Sequence, residues 1–387
     1  MRLKNILGEL AHLDPKRLVL ISAGEASGDL HAGRLIRELK SLAPQLVFFG
    51  MGGANMVSEG FLPLVDAKEI SVVGITEVIP KIWTILKVRA ILKEAILTLR
   101  PKLIIFVDLP DFHMSLLPIA KRAGSRIIYF IPPQIWAWRP YRINKFKRYV
   151  DKALVILPFE ESLYRSHGVD ALYVGNPLME LYPQPKIQDK TNGLILGLLP
   201  GSRDREVERN LPVMWKATQL LKSDMPGLGV LISCAPSIPE SFIQSILGHL
   251  PSWAKIQKGA QGVLKNSTVC CIVSGTATLE AALTPVPMVV LYRLSKTSYF
   301  LGKLLAKVDF ISLPNLITGE RLVPELIQDQ ASSEVLYKEL KELLTSKTKR
   351  NAMLDRLLKV RDLLSTKCSL RDALKECLDW DGEPWAR

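Results

Sequence analysis

Ile272-Val-Ser-Gly-Thr-Ala-Thr-Leu-Glu280 is an apolar run that breaks into Ser274-Gly275-Thr276 and then into a helix-forming stretch. A buried strand that feeds a helix through a glycine turn makes an anion site. The glycine lets a ligand approach the backbone, Thr276 and Thr278 supply hydroxyls, and the first N–H groups of the helix point outward with the positive end of its dipole behind them. A phosphate ester suits such a site. The same residues also suit a plain capped helix in which Ser274 or Thr276 satisfies orphan donors, so the choice rests on the neighbouring segments.

Short apolar runs alternate with helical patterns throughout. Arg17–Ser22, Val47–Phe49, Leu103–Val107, Arg126–Ile131, Ala153–Leu157 and Leu172–Val174 read as strands of a first series, and Gly193–Leu199, Gly229–Ser233, Val269–Val273 and Met288–Leu291 as strands of a second. Strand-helix alternation implies parallel sheets with crossover helices. Between the series, Pro177–Asn192 turns rich in Pro, Gln, Asp and Lys and reads as a linker. The expected architecture is α/β, two doubly wound Rossmann-like domains facing a cleft, over 1–180 and 190–345, with C-terminal helices over 346–387 packing back or onto a partner chain. At 387 residues the chain exceeds the roughly 250–300 residues at which one core stops growing.

With 51 Lys and Arg against 38 Asp and Glu, the net charge is +13, which favours a polyanionic partner: nucleic acid, an acidic membrane face or a phosphorylated ligand. Cys234, Cys270, Cys271, Cys368 and Cys377 show no C-x-x-C or metal spacing and read as buried thiols of a reducing compartment. The N-terminal residues lack a secretory pattern, and no apolar run approaches membrane-spanning length, so a cytoplasmic protein is expected.

Ligands of doubly wound sheets gather at the carboxyl ends of the strands, and four unusual loops fall there. Leu198-Leu-Pro-Gly-Ser-Arg203 ends a strand in a tight turn: Gly201 permits backbone approach, Ser202 donates, and Arg203 offers a fork for a diphosphate, although Asp204 or Glu206 could equally occupy it. With the Ser274–Thr278 turn in the same series, it suggests a nucleotide diphosphate. Ser22-Ala-Gly-Glu-Ala-Ser-Gly-Asp29 follows the first strand but lacks the G-x-G-x-x-G spacing of a dinucleotide fold; Gly24 and Gly28 allow close approach, and Ser27 or Asp29 could simply cap the next helix. Phe106-Val-Asp-Leu-Pro-Asp-Phe112 ends a very apolar strand in Asp108 and Asp111. A carboxylate there takes a proton from an attacking hydroxyl if burial raises its pKa; either aspartate could instead cap the following helix, a role that suits Asp111 the better of the two. His31, His113 and His167 stand alone and read as surface or core residues, with no metal cluster among them.

Two stretches suit a membrane surface. Ile70–Leu103 holds more apolar residues than one stripe needs, among them Ile79, Ile82, Trp83 and Leu86, and from Lys81 to Lys102 six basic residues face only Glu94. An interfacial helix over an anionic leaflet and a helix buried on two sides both fit. Trp136-Ala-Trp-Arg-Pro-Tyr-Arg-Ile-Asn-Lys-Phe-Lys-Arg148 interleaves aromatics with cations; without a nucleic-acid module signature, lipid phosphate ranks ahead of single-stranded nucleic acid.

Taken together, these segments resemble the lipid-A-disaccharide synthase family. The resemblance runs from about Leu18 to Gln328 and rests on Gly24-Glu-Ala-Ser-Gly-Asp29, Val107-Asp-Leu-Pro-Asp-Phe112, Ile135-Trp-Ala-Trp138, Leu157-Pro-Phe-Glu160, Leu199-Pro-Gly-Ser-Arg203, Ser274-Gly-Thr-Ala-Thr-Leu-Glu280, Ser312-Leu-Pro-Asn315 and Val323-Pro-Glu-Leu-Ile-Gln328. It implies a GT-B fold and a metal-independent, inverting glycosyltransferase with no cofactor. The implied reaction condenses UDP-2,3-diacylglucosamine with 2,3-diacylglucosamine 1-phosphate (lipid X) to the lipid A disaccharide 1-phosphate. It further implies a homodimer lying peripherally on the anionic cytoplasmic face of the inner membrane, with no nucleic-acid partner.

Carried over by position, the resemblance makes Asp108 the general base and Arg203 the cation on the leaving diphosphate. Thr276, Ala277 and Thr278 cradle phosphate beside Gly201, Ser202, Ser274 and Gly275. Glu280 takes the ribose, and Asn315 and Gln328 belong to the donor nucleotide. Gly24, Glu25, Ser27, Gly28, Asp29 and Asp111 line the acceptor side. One departure stands out: Gly175-Asn-Pro177 has Asn176 where the family commonly places histidine, and an amide does not titrate near pH 7. Two other readings fit parts of the chain, a GT-B transferase moving N-acetylglucosamine from UDP to a lipid-linked acceptor, and a non-enzymatic basic membrane- or RNA-binding protein.

Overall fold

The computed structural model describes residues 2–69, 75–136, 140–182, 193–293, 309–366 and 368–379, with the side chains of 2, 4, 75–81 and 140 left out. Most of the Pro177–Asn192 linker, the start of the Ile70–Leu103 stretch, Trp138 and the Ile79 side chain lie outside this description. The chain divides into two compact units, Met1–Pro177 with Thr366–Arg387, and Leu178–Ser365.

In the first unit a seven-stranded sheet has the order β3-β2-β1-β4-β5-β6-β7. Its strands are β1 (Leu18–Ala23), β2 (Val47–Gly52), β3 (Leu62–Asp66), β4 (Leu103–Val107), β5 (Arg126–Phe130), β6 (Lys152–Val155) and β7 (Ala171–Tyr173). All pairings are parallel. Because side chains alternate across a strand, each central strand feeds two cores. Leu18, Leu20, Ile104, Phe106, Ile127 and Tyr129 pack on one face, while Val19, Ile21, Leu103, Ile105, Ile128 and Phe130 pack on the other. That two-sided burial is why every residue of β1 and β4 is buried and all of them but Ser22 are apolar.

In the second unit β8 (Ile195–Leu199), β9 (Gly229–Cys234), β10 (Ala254–Lys258), β11 (Val269–Val273), β12 (Met288–Tyr292) and β13 (Glu325–Ile327) form a six-stranded parallel sheet ordered β10-β9-β8-β11-β12-β13. Both sheets follow the doubly wound pattern, in which strand order reverses beside the first strand of each unit and leaves a crevice there. The reversals fall between β1 and β4 and between β8 and β11. Ala23 is level with Val107 in one sheet, and Leu199 with Ile272 in the other. The loops after these four strands are the four singled out in the sequence.

The C-terminal stretch splits between the units. Helix Lys347–Leu363 buries Met353, Leu357 and Val360 in the core of the second. Helix Leu370–Leu378, opened by a Ser369–Asp372 capping box, returns to the first and buries Leu370, Ala373, Leu374, Cys377 and Leu378 against the face that holds Ile21 and Ile105. That spacing is the one-sided stripe of an amphipathic helix. Lys152 pairs with Glu376 and Arg371 with Glu38 at its rim. Truncating the fully buried Leu374 to Ala is expected to cost about 2–5 kcal/mol and to lower the thermal unfolding midpoint of the first unit. Proteolytic release of the 366–387 tail without any change in that midpoint would contradict the assignment.

Candidate active site

In the second unit the β8 loop is held from several sides. Gly201 has φ +119°, and a Cβ there would lie 2.8 Å from Glu206 Cβ, so only glycine suits this turn. The Ser202 N–H donates to Glu206 Oε2 at 3.2 Å, and Arg203 Nη1 donates to Glu206 Oε1 at 3.0 Å. Ser237 Oγ donates to the Ser202 carbonyl at 2.7 Å. The Arg203 side chain is 69% exposed and the Glu206 side chain 26%, so one carboxylate occupies two anion donors at the surface.

On the neighbouring β11, helix Thr276–Leu283 starts at Gly275, with no side-chain cap among the described residues. Ser274 Oγ donates instead to Ile311 O at 2.7 Å, and Thr278 Oγ1 to Gly275 O at 2.7 Å. The capped-helix alternative therefore fails: neither Ser274 nor Thr276 caps the helix, and Gly275 and Thr276 lie exposed at its start. Glu280, one turn on, accepts from Tyr182 Oη at 2.7 Å. This is the electrostatic arrangement that favours a phosphate.

In the first unit the β4 loop is contorted. Asp108 and Leu109 are consecutive left-handed residues, φ +51° and +48°, each an arrangement that costs on the order of 1–3 kcal/mol for a non-glycine residue. The Asp108 N–H donates to Phe130 O at 3.0 Å, and its carbonyl accepts from Tyr129 Oη at 2.7 Å and lies 2.7 Å from His113 Nδ1. Burial, reinforced by the neighbouring Glu25 carboxylate, pushes the Asp108 carboxyl up to about 6. After β1, Glu25 in the loop and Ser27 in the first turn of the helix Ala26–Leu42 are exposed, while Gly24 and Gly28 are buried. Asp111 is exposed and pairs with the buried Arg142.

A model of the family described as lipid-A-disaccharide synthetase matches residues 19–376. The chain belongs to that family. It is similar to the lipid-A-disaccharide synthase of Myxococcus xanthus (41% identity over 89% of this chain and 93% of that one) and to that of Geobacter metallireducens (39%, over 93% and 96%). Among solved structures its fold is similar to the glycotransferase of kitacinnamycin (TM-score 0.61, 14% identity, 93% of this chain and 97% of that one) and to the S. aureus MnaA-UDP co-structure (0.63, 12%, 95% and 97%). The GT-B architecture is shared at identities too low to carry more than the fold.

Three expected members of the synthetase site have other duties. Asp29 is buried, and its carboxylate accepts from Gly53 N, Asn55 N, Asn55 Nδ2 and Met56 N at 2.7–3.2 Å, so it braces the loop after β2 and is not open to acceptor. Asn315 is fully buried: Nδ2 donates to Val323 O and Glu325 Oε1, and Oδ1 accepts from Leu322 N and Val323 N. Its hydrogen-bonding capacity is spent inside the protein. Thr278 is also fully buried, its hydroxyl turned to Gly275 O, which leaves Thr276 and Ala277 at the open end of the turn. Gln328, half-buried with φ +51°, follows β13.

The described part of the Trp136–Arg148 stretch is two-sided, with Tyr141, Lys145, Lys147 and Arg148 exposed. Arg142, Ile143 and Phe146 are buried, and Trp136 Nε1 donates to Glu160 at 3.0 Å. Burial raises the Glu160 carboxyl to about 7. Asn176 donates from Nδ2 to Ile156 O at 3.0 Å, a brace at the end of β6.

Sequence reasoning gave His113 no role, because a lone histidine carries no spacing signal. Its signal is its place five residues after Asp108, where a turn brings the ring back to that residue's carbonyl.

A folded pKa near 6, above the ordinary 3.8 of the Asp108 carboxyl, means that the folded state binds the proton more tightly. Stability therefore declines as pH rises through that interval. Two pH units correspond to about 3 kcal/mol at most. Asp108→Asn is expected to raise the thermal midpoint over wild type at pH 8, with the gain shrinking toward zero near pH 4; a variant no more stable at pH 8 would contradict the buried-carboxyl assignment.

Proposed function

We propose that this chain is an inverting lipid-A-disaccharide synthase that condenses UDP-2,3-diacylglucosamine with lipid X to the lipid A disaccharide 1-phosphate and UDP. Family membership over nearly the whole chain carries this reading, and the uncapped helix start beside the Gly201–Arg203 loop supports it. Asp108 takes the proton from the acceptor 6-hydroxyl as that oxygen attacks the anomeric carbon. The bond from that carbon to the diphosphate breaks, and its electron pair leaves with UDP. Charge growing on the leaving oxygens is met by the Arg203 guanidinium and the N–H groups of Gly275, Thr276 and Ala277. Ser202 and Ser274 shape the two loops, Glu280 takes the ribose hydroxyls, and Gln328 lies on the donor side. Gly24, Glu25, Ser27, Gly28 and Asp111 serve the acceptor. A carboxyl poised near 6 is mostly ionised at neutral pH, yet still basic enough to share a proton in the transition state.

The acyl chains of both substrates call for a surface. In helix Ile75–Leu99, Val88, Leu92, Ala95, Ile96 and Leu99 are buried, whereas Ile82, Trp83 and Leu86 are 46%, 78% and 47% exposed. The alternative of a helix buried on two sides therefore fails for the described part. No helix among the described residues is long and apolar enough to cross a membrane. The exposed apolar face, with Lys87 and Lys93 also exposed, supports peripheral binding to the anionic inner face of the inner membrane. A homodimer and a cytoplasmic location belong to the same proposal.

Incubation with UDP-2,3-diacylglucosamine and lipid X is expected to release UDP with chelator present, and Asp108→Ala to lower kcat by at least about 100-fold with UDP affinity unchanged. No product from this pair would sink the reading, and turnover of UDP-N-acetylglucosamine instead would favour the related transferase. Replacing Ile82, Trp83 and Leu86 together by Ser is expected to weaken sedimentation with anionic vesicles about tenfold or more without lowering the thermal midpoint. Vesicle binding equal to wild type would remove this helix from the membrane assignment.

A further inference from the structure

We infer that His113 is a positioning residue that holds the Asp108 main chain in its left-handed bend, and so keeps the carboxyl of the general base in place. The inference deepens the proposed reaction and rests on it only for the role of Asp108. A carbonyl oxygen accepts and never donates, so the 2.7 Å contact from His113 Nδ1 to Asp108 O requires the proton on Nδ1. The neutral ring then has an acceptor at Nε2, where the Ser22 hydroxyl at 2.8 Å donates. The Asp108 carbonyl thus fixes the tautomer, and the Ser22 hydroxyl, free to donate, satisfies Nε2 and anchors the ring to β1.

Burial keeps the arrangement in one protonation state. His113, Ser22 and Tyr129 are fully buried, and desolvation lowers the imidazole to about 4 and raises the Tyr129 phenol well above its ordinary value. Both donors to the Asp108 carbonyl therefore keep their protons across the neutral range. The groups that set the local field are Glu25 from the β1 loop, which raises Asp108, and Tyr129 from β5, on which Asp108, Tyr164, Arg142 and Asp111 act. Two donors fill both lone pairs of one carbonyl and fix the plane of the 108–109 peptide. With the Asp108 N–H bound to Phe130 O, that single residue is tied to β5 twice and, through His113 and Ser22, to β1. A strained bend persists only where its surroundings over-determine it.

A histidine that merely filled core volume would affect stability alone. A positioning role moves kcat and the acid limb of the pH profile. His113→Leu is expected to lower kcat at least about tenfold, with KM for the donor and UDP affinity unchanged, and to shift the acid limb of kcat/KM downward from about 6 as the carboxyl relaxes toward water. His113→Asn, whose amide can place a donor where Nδ1 stood, is expected to stay within about fivefold of wild type with its limb in place. Wild-type kcat and an unmoved limb in His113→Leu would overturn the inference, as would Asn and Leu variants equally impaired with unmoved limbs. If the Leu variant does not fold, Ser22→Ala retains the ring and removes only its anchor at Nε2. It is expected to lower kcat and shift the limb in the same direction, and no change in either overturns the inference.

Nitrogen-15 NMR of the wild-type imidazole, assigned by its loss in His113→Asn, is expected to show a neutral Nδ1–H tautomer that does not titrate between about pH 5 and 8. An Nε2–H or titrating ring would overturn the inference. This readout stands whether or not UDP is released, so failure of the clamp and failure of the proposed reaction are distinguishable.

Discussion

A parallel strand must be covered on both faces, and most of this molecule follows from that constraint. It puts apolar residues at every position of β4 and β11 and at all but Ser22 of β1, sends each connection through a crossover helix, and leaves one place per sheet where crossovers on opposite faces part. At that place the strand ends are uncovered. The first unit sets two glycines and a carboxylate there, and the second sets a guanidinium and an uncapped helix start. Covered strands hold few polar groups along their length, so the chemistry collects where covering stops.

The same constraint decides what was legible in the sequence. Central strands announce themselves because both faces are buried. The strands that escaped the sequence reading, β3, β10 and β13, are all sheet edges. Leu62-Pro-Leu-Val-Asp66 carries a proline and two exposed ends, Ala254-Lys-Ile-Gln-Lys258 has one buried residue, and Glu325–Ile327 is three residues long. A half-covered strand needs no apolar run. The loops at the strand ends were legible because glycine, serine and charge interrupt an apolar pattern there. The duties of individual polar residues were not, since they depend on partners far away in sequence: Asp29 looked like a loop carboxylate until Gly53 and Asn55 met it.

Asn315 shows the same limit from the other side. Ser312-Leu-Pro-Asn315 and Val323-Pro-Glu325 are separate in sequence, yet Glu325 accepts from Ile311 N, Ser312 N, Ser312 Oγ and Asn315 Nδ2. A buried carboxylate with four donors is satisfied where an isolated one would be very costly. The two segments are therefore one polar knot, and Ile311, a member of it, also receives the Ser274 hydroxyl. A family motif can mark the support of a ligand loop as readily as the ligand contact itself.

Glu206 compensates the cationic turn of the second unit. Bare N–H groups and an uncompensated guanidinium at one turn would repel each other, and the carboxylate set between Ser202 N and Arg203 relieves this. Its hold is weak by construction, since an exposed pair of this kind is worth about 0.2–1 kcal/mol. A diphosphate, with two charges and several oxygens, offers both donors more than one carboxylate does. On the proposed reading the donor diphosphate therefore competes with Glu206 for the same two donors. The first unit has the opposite design. The Asp108 bend has left-handed backbone at two successive residues and is tied by buried partners from β1 and β5. An anion that comes and goes suits a loosely held cation, whereas a base that must meet one hydroxyl in one direction needs a fixed backbone, and the two units divide these requirements between them.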